Sequence, residues 1–280
     1  MQPFLIREPK VSELHEILIV FYRSFNRTIP PDLKNQEQFL VSLIESGIAK
    51  FQVAEENGKI IGIGGIFFFG DICYIGYMAV LPEMRRKGLG TTLFRKILKI
   101  AKLNGSQSFM LYASELGKPI YHKFGFRSKF TTTMYDLPSK PSLLQKINKK
   151  INRTTILPKW AALIDKNTMG FDRSAFLQIK INHGSILITV NNEGFALISG
   201  SRLGPVISKN IQTAVSIINE GIKLGASHII VPKHSQFPSK IFDCVNLTEN
   251  DSESNLKMVY GKEVKQKLDQ FYALGNYANG

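Results

Sequence analysis

Residues 85–91, Arg-Arg-Lys-Gly-Leu-Gly-Thr, bring three cations, two glycines and a hydroxyl together in one short stretch. Glycines let consecutive backbone N–H groups converge, a helix starting there adds partial positive charge, and basic side chains supply counter-charge. That combination holds phosphate, so the expected ligand is a phosphorylated cofactor. A strand must lead into such a loop and a helix must leave it. Met78, Ala79 and Val80 read as the end of a buried strand, and Pro82 turns the chain. Beyond the glycines, Leu93, Ile97, Ile100 and Ala101 mark an apolar helix face, with Arg95, Lys99 and Lys102 on a basic one.

The elements around this stretch follow from periodicity and punctuation. Residues 4–6 read as a strand and residues 11–25 as a helix that Ser12 can cap, with a second helix over 35–45 ending at Gly47. Asn57-Gly58 joins two strands as a hairpin, and Asp71 turns the chain into a strand over 73–80. Asn104-Gly105 ends the basic helix. A fifth strand over 109–113 leads to a loop starting at Ser114 and a short helix opened by Pro119. A last strand pair is expected within 126–137.

The order β-α-α-β-β-β-loop-α-β-α-β, with Arg85-x-x-Gly88-x-Gly90 after the fourth strand and Ile120-Tyr121-x-x-Phe124-Gly125-Phe126 near the end, resembles the GNAT superfamily of N-acetyltransferases over residues 4–137. The resemblance implies acetyl-CoA as acyl donor and a primary amine as acceptor. It implies a pyrophosphate held by Arg85, Arg86, Lys87, Gly88, Leu89, Gly90 and Thr91. The pantetheine arm would lie along Met78, Ala79 and Val80, whose strand splays from the fifth, with Ser114 and Tyr121 also at the cofactor. Tyr121 occupies the family's proton-donor position toward the coenzyme A sulfur. The fourth strand, CYIGYMAV, contains no acid, so a water, Tyr74, Tyr77, Glu115 or Asp71 remain open as the base, while Glu83 belongs to the loop's solvent side. Cys73 reads as a packed thiol rather than a nucleophile.

The second half repeats the pattern. KLNGSQSFMLYA (102–113) and KLGASHIIVPK (223–233) correspond as helix end, glycine stop and fifth strand, and NGKIIGIGG and EGFALISGS as hairpins. Residues 179–190 read as strand-like, Asn191-Asn192-Glu193-Gly194 as a turn, 203–208 as a strand and 211–224 as a helix. The strand before that helix runs almost directly into it, so this copy lacks the phosphate loop. Asp165, Gly170-Phe171-Asp172-Arg173, Gly194, Arg202 and Gly204-Pro205 resemble the C-terminal half of tandem-GNAT proteins. Arg173 and Arg202 then stand equally as packing residues or as the wall of an acceptor groove between halves, to which residues 25–33 and the last strand pair would also contribute. The fold class is α/β (α+β), two GNAT-like domains, each a mixed, mostly antiparallel twisted sheet flanked by helices. The expected division is 1–138, a basic linker 139–160, and 161–280.

Composition limits the alternatives. The chain has 280 residues, net charge +14 and pI about 9.7. Part of that excess sits in 139–160, where Lys140, Lys146, Lys149, Lys150, Arg153 and Lys159 occur without an acidic residue. With no RNA-binding aromatic signature beside it, this run reads as a solvated linker or helix face, and nucleic acid is not the expected partner. A coenzyme A sensor without catalysis is the first rival to the enzyme, and a nucleic-acid-associated protein that uses the basic residues 140–159 is the second. The apolar run 60–80 is broken by glycines and Asp71, which excludes a membrane span. MQPFLIREPK lacks the apolar core of a signal peptide, and the expected location is the cytoplasm. Cys73 and Cys244 are expected to be reduced, and His183, His228 and His234 lack metal-ligand spacing, so no metal is expected. A homodimer is compatible with the second copy.

Overall fold

The computed structural model describes residues 4–141, 150–190, 192–233, 241, 242 and 244–278. Its first half runs β1 (Leu5–Arg7), α1 (Leu14–Ser24), α2 (Leu33–Glu45), β2 (Ala49–Glu56), β3 (Lys59–Phe69), β4 (Ile72–Val80), α3 (Leu89–Leu103), β5 (Ser108–Ala113), α4 (Lys118–Lys123) and β6 (Arg127–Asp136). The second half runs β7 (Ile151–Thr154), α5 (Lys159–Met169), α6 (Ser174–Asn182), β8 (Ile186–Val190), β9 (Gly194–Ser199), β10 (Arg202–Ser208), α7 (Ile211–Lys223), β11 (His228–Lys233), β12 (Thr248–Gly261) and β13 (Phe271–Ala273). Asn57 and Gly58 both take positive φ in the β2–β3 turn, as a tight hairpin requires.

All strands join one mixed, mostly antiparallel sheet in the order β1-β2-β3-β4-β5-β12-β6-β11-β10-β9-β8-β7, with β13 beside β10. Parallel pairing occurs between β4 and β5 and between β10 and β11. The halves exchange strands at the centre. β12, from the second half, pairs with β5 through Leu256–Gly261 and also with β6, while β6 pairs with β11 from Thr131 to Asp136.

Residues 126–137 therefore form one strand, not the expected pair. β6 finds both antiparallel partners in the far half of the chain, so no hairpin turn is needed within it. Being central, it buries residues on both faces, among them Thr132, Thr133, Met134 and Tyr135. Residues 179–182 belong to α6, not to a strand. Gly184, at φ +88°, ends that helix before β8 begins. The expected basic linker is in part regular structure, since Ile151–Thr154 is an edge strand whose Arg153 Nη2 donates to Glu220 Oε1 at 2.7 Å. Lys146 and Lys149 lie outside the described residues.

Helices cover both faces. The apolar stripe of α3, with Leu93, Phe94 and Ile97, packs on one face of the β3–β5 region. On the other, α1 and α2 share a core with α5 and α6, so that Phe69 stacks near Phe171 at 5.4 Å and Phe176 at 5.8 Å between ring centroids. Within this shared layer lies a buried ion pair between α5 and the residue preceding α6. Arg173 Nε and Nη2 donate to Asp165 Oδ2 and Oδ1, both at 2.9 Å, with side chains 3% and 1% exposed. Arg173 thus has a packing role.

A chain ending at residue 138 is expected to lack a cooperative denaturant transition and to regain one when residues 139–280 are co-expressed, because β5 and β6 meet only through β12. A cooperative transition for 1–138 alone would contradict the shared sheet. Arg173→Met is expected to cost about 3–5 kcal/mol by leaving Asp165 buried and uncompensated, read as a lowered denaturant midpoint; a loss below about 1 kcal/mol would show the pair to be dispensable.

Candidate functional site: a groove at the splay of two parallel strands

β4 and β5 pair only through Ile72, Cys73 and Tyr74 opposite Ser108, Phe109 and Met110. Beyond that point their pairing ends. The cause is visible on the β3 side, where the β3–β4 register shifts between Ile63 and Gly65 and Tyr77 adopts φ +51°. Such a bulge bends its strand. Tyr77 is held there by its ring contacts with Phe21 and Phe51, at 4.9 and 5.5 Å. Met78, Ala79 and Val80 follow the bulge, with backbone polar groups on the side away from β3 that β5 does not pair.

The loop after β4 completes the groove. A short turn at Pro82–Met84 leads to Arg86 at φ +62° and Gly88 at φ +80°, and Gly88 is the residue before α3. No side chain caps α3, so its first-turn N–H groups point out of the helix without a side-chain acceptor. A Cβ at Gly88 would meet nothing within 4 Å, so the site needs glycine for its backbone conformation. At Gly90 the requirement is space, because a Cβ would sit 3.3 Å from Ile120 Cδ1.

All the cofactor residues expected from the sequence except Lys87 line one groove of about 660 Å³: Met78, Ala79, Val80, Arg85, Arg86, Gly88, Leu89, Gly90, Thr91, Ser114 and Tyr121. Their roles differ. The Arg85 guanidinium turns inward, Nε donating to Val80 O at 3.1 Å and Nη2 to Ser24 O, and so ties the strand end to α1. Lys87 Nζ lies 3.8 Å from Met84 Sδ, leaving Arg86 as the loop cation on the groove wall. Ser114 Oγ accepts from Gly117 N at 3.3 Å at the entry to α4. Tyr121, on α4, is 6% exposed and packs edge-on against Phe94 at 4.8 Å. Burial pushes its phenol well above the ordinary value, so it carries its proton at neutral pH.

Tyr121, Met78, Ser114 and Phe25 also line a second cavity that continues from the groove. Its walls come from both halves: Tyr22, Arg27 and Gln36 from α1 and its surroundings, and Arg202, Asn255, Asn276 and Tyr277 from the second half. Phe25 and Arg27 are where the sequence places acceptor-lining residues, whereas β6 does not contribute. The segment 275–278 does so instead, and a Cβ at Gly76 would collide with the Ala278 carbonyl. No local signal marks Tyr22, Gln36, Asn255, Asn276 or Tyr277; each is brought here by long-range packing. Arg202 lines this cavity while Arg173 does not, which separates two residues that the sequence left equivalent.

Among the described residues that line this cavity there is no carboxylate. Of the open base candidates, Tyr74 is buried and donates its hydroxyl to Tyr277 O at 2.7 Å, while burial raises its phenol well above the ordinary value. Glu115 lies near Lys118 at 3.9 Å, and Glu83 near Arg23 at 3.7 Å; like Asp71 these carboxylates are exposed and line neither space. Tyr77 does line the cavity. Cys73 is fully buried, and desolvation pushes its thiol up, as in a packed residue. His183 Nε2 is 2.9 Å from Ser42 Oγ, and His228 Nδ1 is 2.8 Å from Ser227 Oγ; His234 lies outside the described residues. Among the described residues no His, Cys, Asp or Glu cluster could hold a metal, and no helix is long and apolar enough to cross a membrane.

The corresponding helix of the second half is built differently. Between β10 and α7 only Lys209 and Asn210 intervene. Asn210 Oδ1 accepts from Thr213 N at 2.9 Å, and Glu193 Oε2 accepts from both Asn210 Nδ2 at 3.0 Å and Thr213 Oγ1 at 2.6 Å. A side-chain cap and an acid already fill the place where a phosphate would sit.

Comparison with known proteins accords with this duplicated architecture. Residues 11–126 match the acetyltransferase (GNAT) family, and residues 161–273 match a second acetyltransferase (GNAT) domain family. YitH of Bacillus subtilis, described as an uncharacterised N-acetyltransferase, is 26% identical over 263 residues, covering 89% of this chain and 90% of its own. A crystal structure from Pyrococcus horikoshii, designated a candidate acetyltransferase, superposes with a TM-score of 0.91 at 26% identity, covering 100% of this chain and 97% of that one. A GCN5-related N-acetyltransferase from Kribbella flavida shares the fold, with a TM-score of 0.58 at 14% identity over 91% of this chain and 70% of its own. The chain therefore belongs to the GNAT acetyltransferases, with two domains of that family in tandem.

Proposed function

We propose that the chain transfers an acetyl group from acetyl-CoA to a primary amine, with the reaction centred where the groove meets the second cavity at Met78 and Tyr121. The observation that carries this is the uncapped N-terminus of α3, opening beside the unpaired edge of β4 in a single groove. Acetyl-CoA supplies an activated acetyl group as a thioester. First-turn N–H groups at Gly88, Leu89, Gly90 and Thr91, with Arg86, bind its pyrophosphate. The open edge at Met78, Ala79 and Val80 binds the amide-bearing arm and directs a backbone N–H at the thioester oxygen, where negative charge develops.

The acceptor amine enters through the second cavity and attacks directly, so no enzyme nucleophile is required. As the C–N bond forms and the C–S bond breaks, Tyr121 gives its proton to the departing sulfur, a role that suits a phenol kept neutral by burial. With no carboxylate among the described residues that line the cavity, the proton lost by the amine passes to solvent there. The second domain contributes cavity wall rather than a second donor site, since α7 is already capped.

Gly88→Asp combined with Gly90→Asp is expected to abolish coenzyme A binding by calorimetry while the circular dichroism of the chain is retained; unchanged affinity would sink the donor-site assignment. Tyr121→Phe is expected to lower kcat about 100-fold or more with little change in coenzyme A affinity. Retention of full turnover in that variant would remove Tyr121 as the proton donor.

A further inference from the structure

Beyond Tyr77 and Asn276 the acceptor cavity opens into a further space of about 520 Å³, between α2, α6 and the β9–β10 turn. Tyr22, Gln36, Tyr77, Arg202 and Asn276 line both, so the two are continuous. Lys180 reaches this inner space from α6 while only 5% exposed. Its ammonium lies 5.7 Å from the centre of the Phe176 ring, and among the described residues it has neither an ion-pair partner nor a hydrogen-bond acceptor. The other buried cations among the described residues have polar partners: Arg173 holds Asp165, and Lys257 Nζ donates to the amide oxygen Gln266 Oε1 at 2.7 Å.

Burying an ammonium without a counter-charge is unfavourable, and placing it near a guanidinium compounds the cost. The arrangement is complementary to an anion standing in the cavity. We propose that Lys180 receives a carboxylate of the acceptor, so that the substrate class is an amine that also carries a carboxylate group. This rests on the acetyl-transfer assignment above. Because the two spaces are continuous, a carboxylate bound at Lys180 leaves the amine end directed through the first cavity toward Met78.

The charge balance around Lys180 gives the pH dependence. Among the described residues, Arg202, Arg173 with its partner Asp165, His183, the exposed Asp32, Tyr22 and Tyr77 are the titratable or charged groups about it. Burial, then Arg173 and Arg202, push the Lys180 ammonium down to about 7 in the free protein. A bound carboxylate favours the ammonium and raises that value. Carboxylate affinity is therefore full below about pH 7, falls as pH rises above it, and is accompanied by proton uptake near neutrality.

The test uses the full chain with matched pairs, lysine against cadaverine, ornithine against putrescine, and glutamate against 4-aminobutyrate as a carboxylate-retaining control. Binding is measured by calorimetry with and without coenzyme A, and turnover as thiol release. An amino acid is expected to exceed its fully decarboxylated partner by at least about tenfold in kcat/KM, with Lys180→Met erasing most of that ratio. Coenzyme A affinity should be unchanged in that variant. Equal or better use of the decarboxylated amines, a ratio unmoved in Lys180→Met, or no binding of any amino acid at millimolar concentration would overturn the proposal. Failure of coenzyme A to bind would overturn the transfer assignment instead, and amino-acid binding in its absence would still decide the carboxylate site.

Discussion

The site depends on one broken ladder. β4 and β5 start as ordinary parallel neighbours and pair through Tyr74 and Met110, after which the bulge at Tyr77 carries β4 away. An unpaired strand edge inside a protein is normally costly, because each exposed N–H and C=O needs a partner. Here the lost hydrogen bonds are offset by packing on the opposite side, where Tyr77 sits among Phe21, Phe51 and Phe67. The edge is left available to a ligand with amides of its own. The loop, the uncapped helix and Tyr121 are arranged around that opening.

The two copies of the fold differ at the terminus of the helix that follows the strand. Both α3 and α7 follow a strand and pack an apolar stripe on the sheet. α3 starts behind a left-handed glycine with no side chain over its first turn. α7 starts behind an asparagine that accepts from Thr213 N, with Glu193 locked against it. A few residues thus leave one helix terminus open and fill its counterpart in the duplicate.

Local features were legible in the sequence. The Asn57-Gly58 hairpin, the glycines at 88 and 90, the absence of a strand acid and the missing loop in the second half are each encoded by neighbouring residues, because backbone conformation and capping are short-range effects. What escaped was long-range. Residues 126–137 read locally as a strand pair because nothing nearby says that the partners of β6 are β11 and β12. Residues 179–182 alternate well enough for a strand, yet Phe176 and Leu177 commit them to a helix through packing against the first half. The wall formed by Asn255, Asn276 and Tyr277 has no motif, because its residues are joined by folding alone. Arg85 illustrates the intermediate case: it lines the groove at the expected position, but its guanidinium is engaged by the carbonyls of Val80 and Ser24.

The exchange of β6 and β12 has a consequence for how such a protein changes over time. Two copies joined by a linker can drift apart, be lost singly or be recombined with other partners. Here each copy holds a strand whose register is written by the other, so a substitution in β12 is judged by its fit to β5 and β6. The two halves close one sheet between them, so neither is a self-contained unit whose substitutions are judged independently.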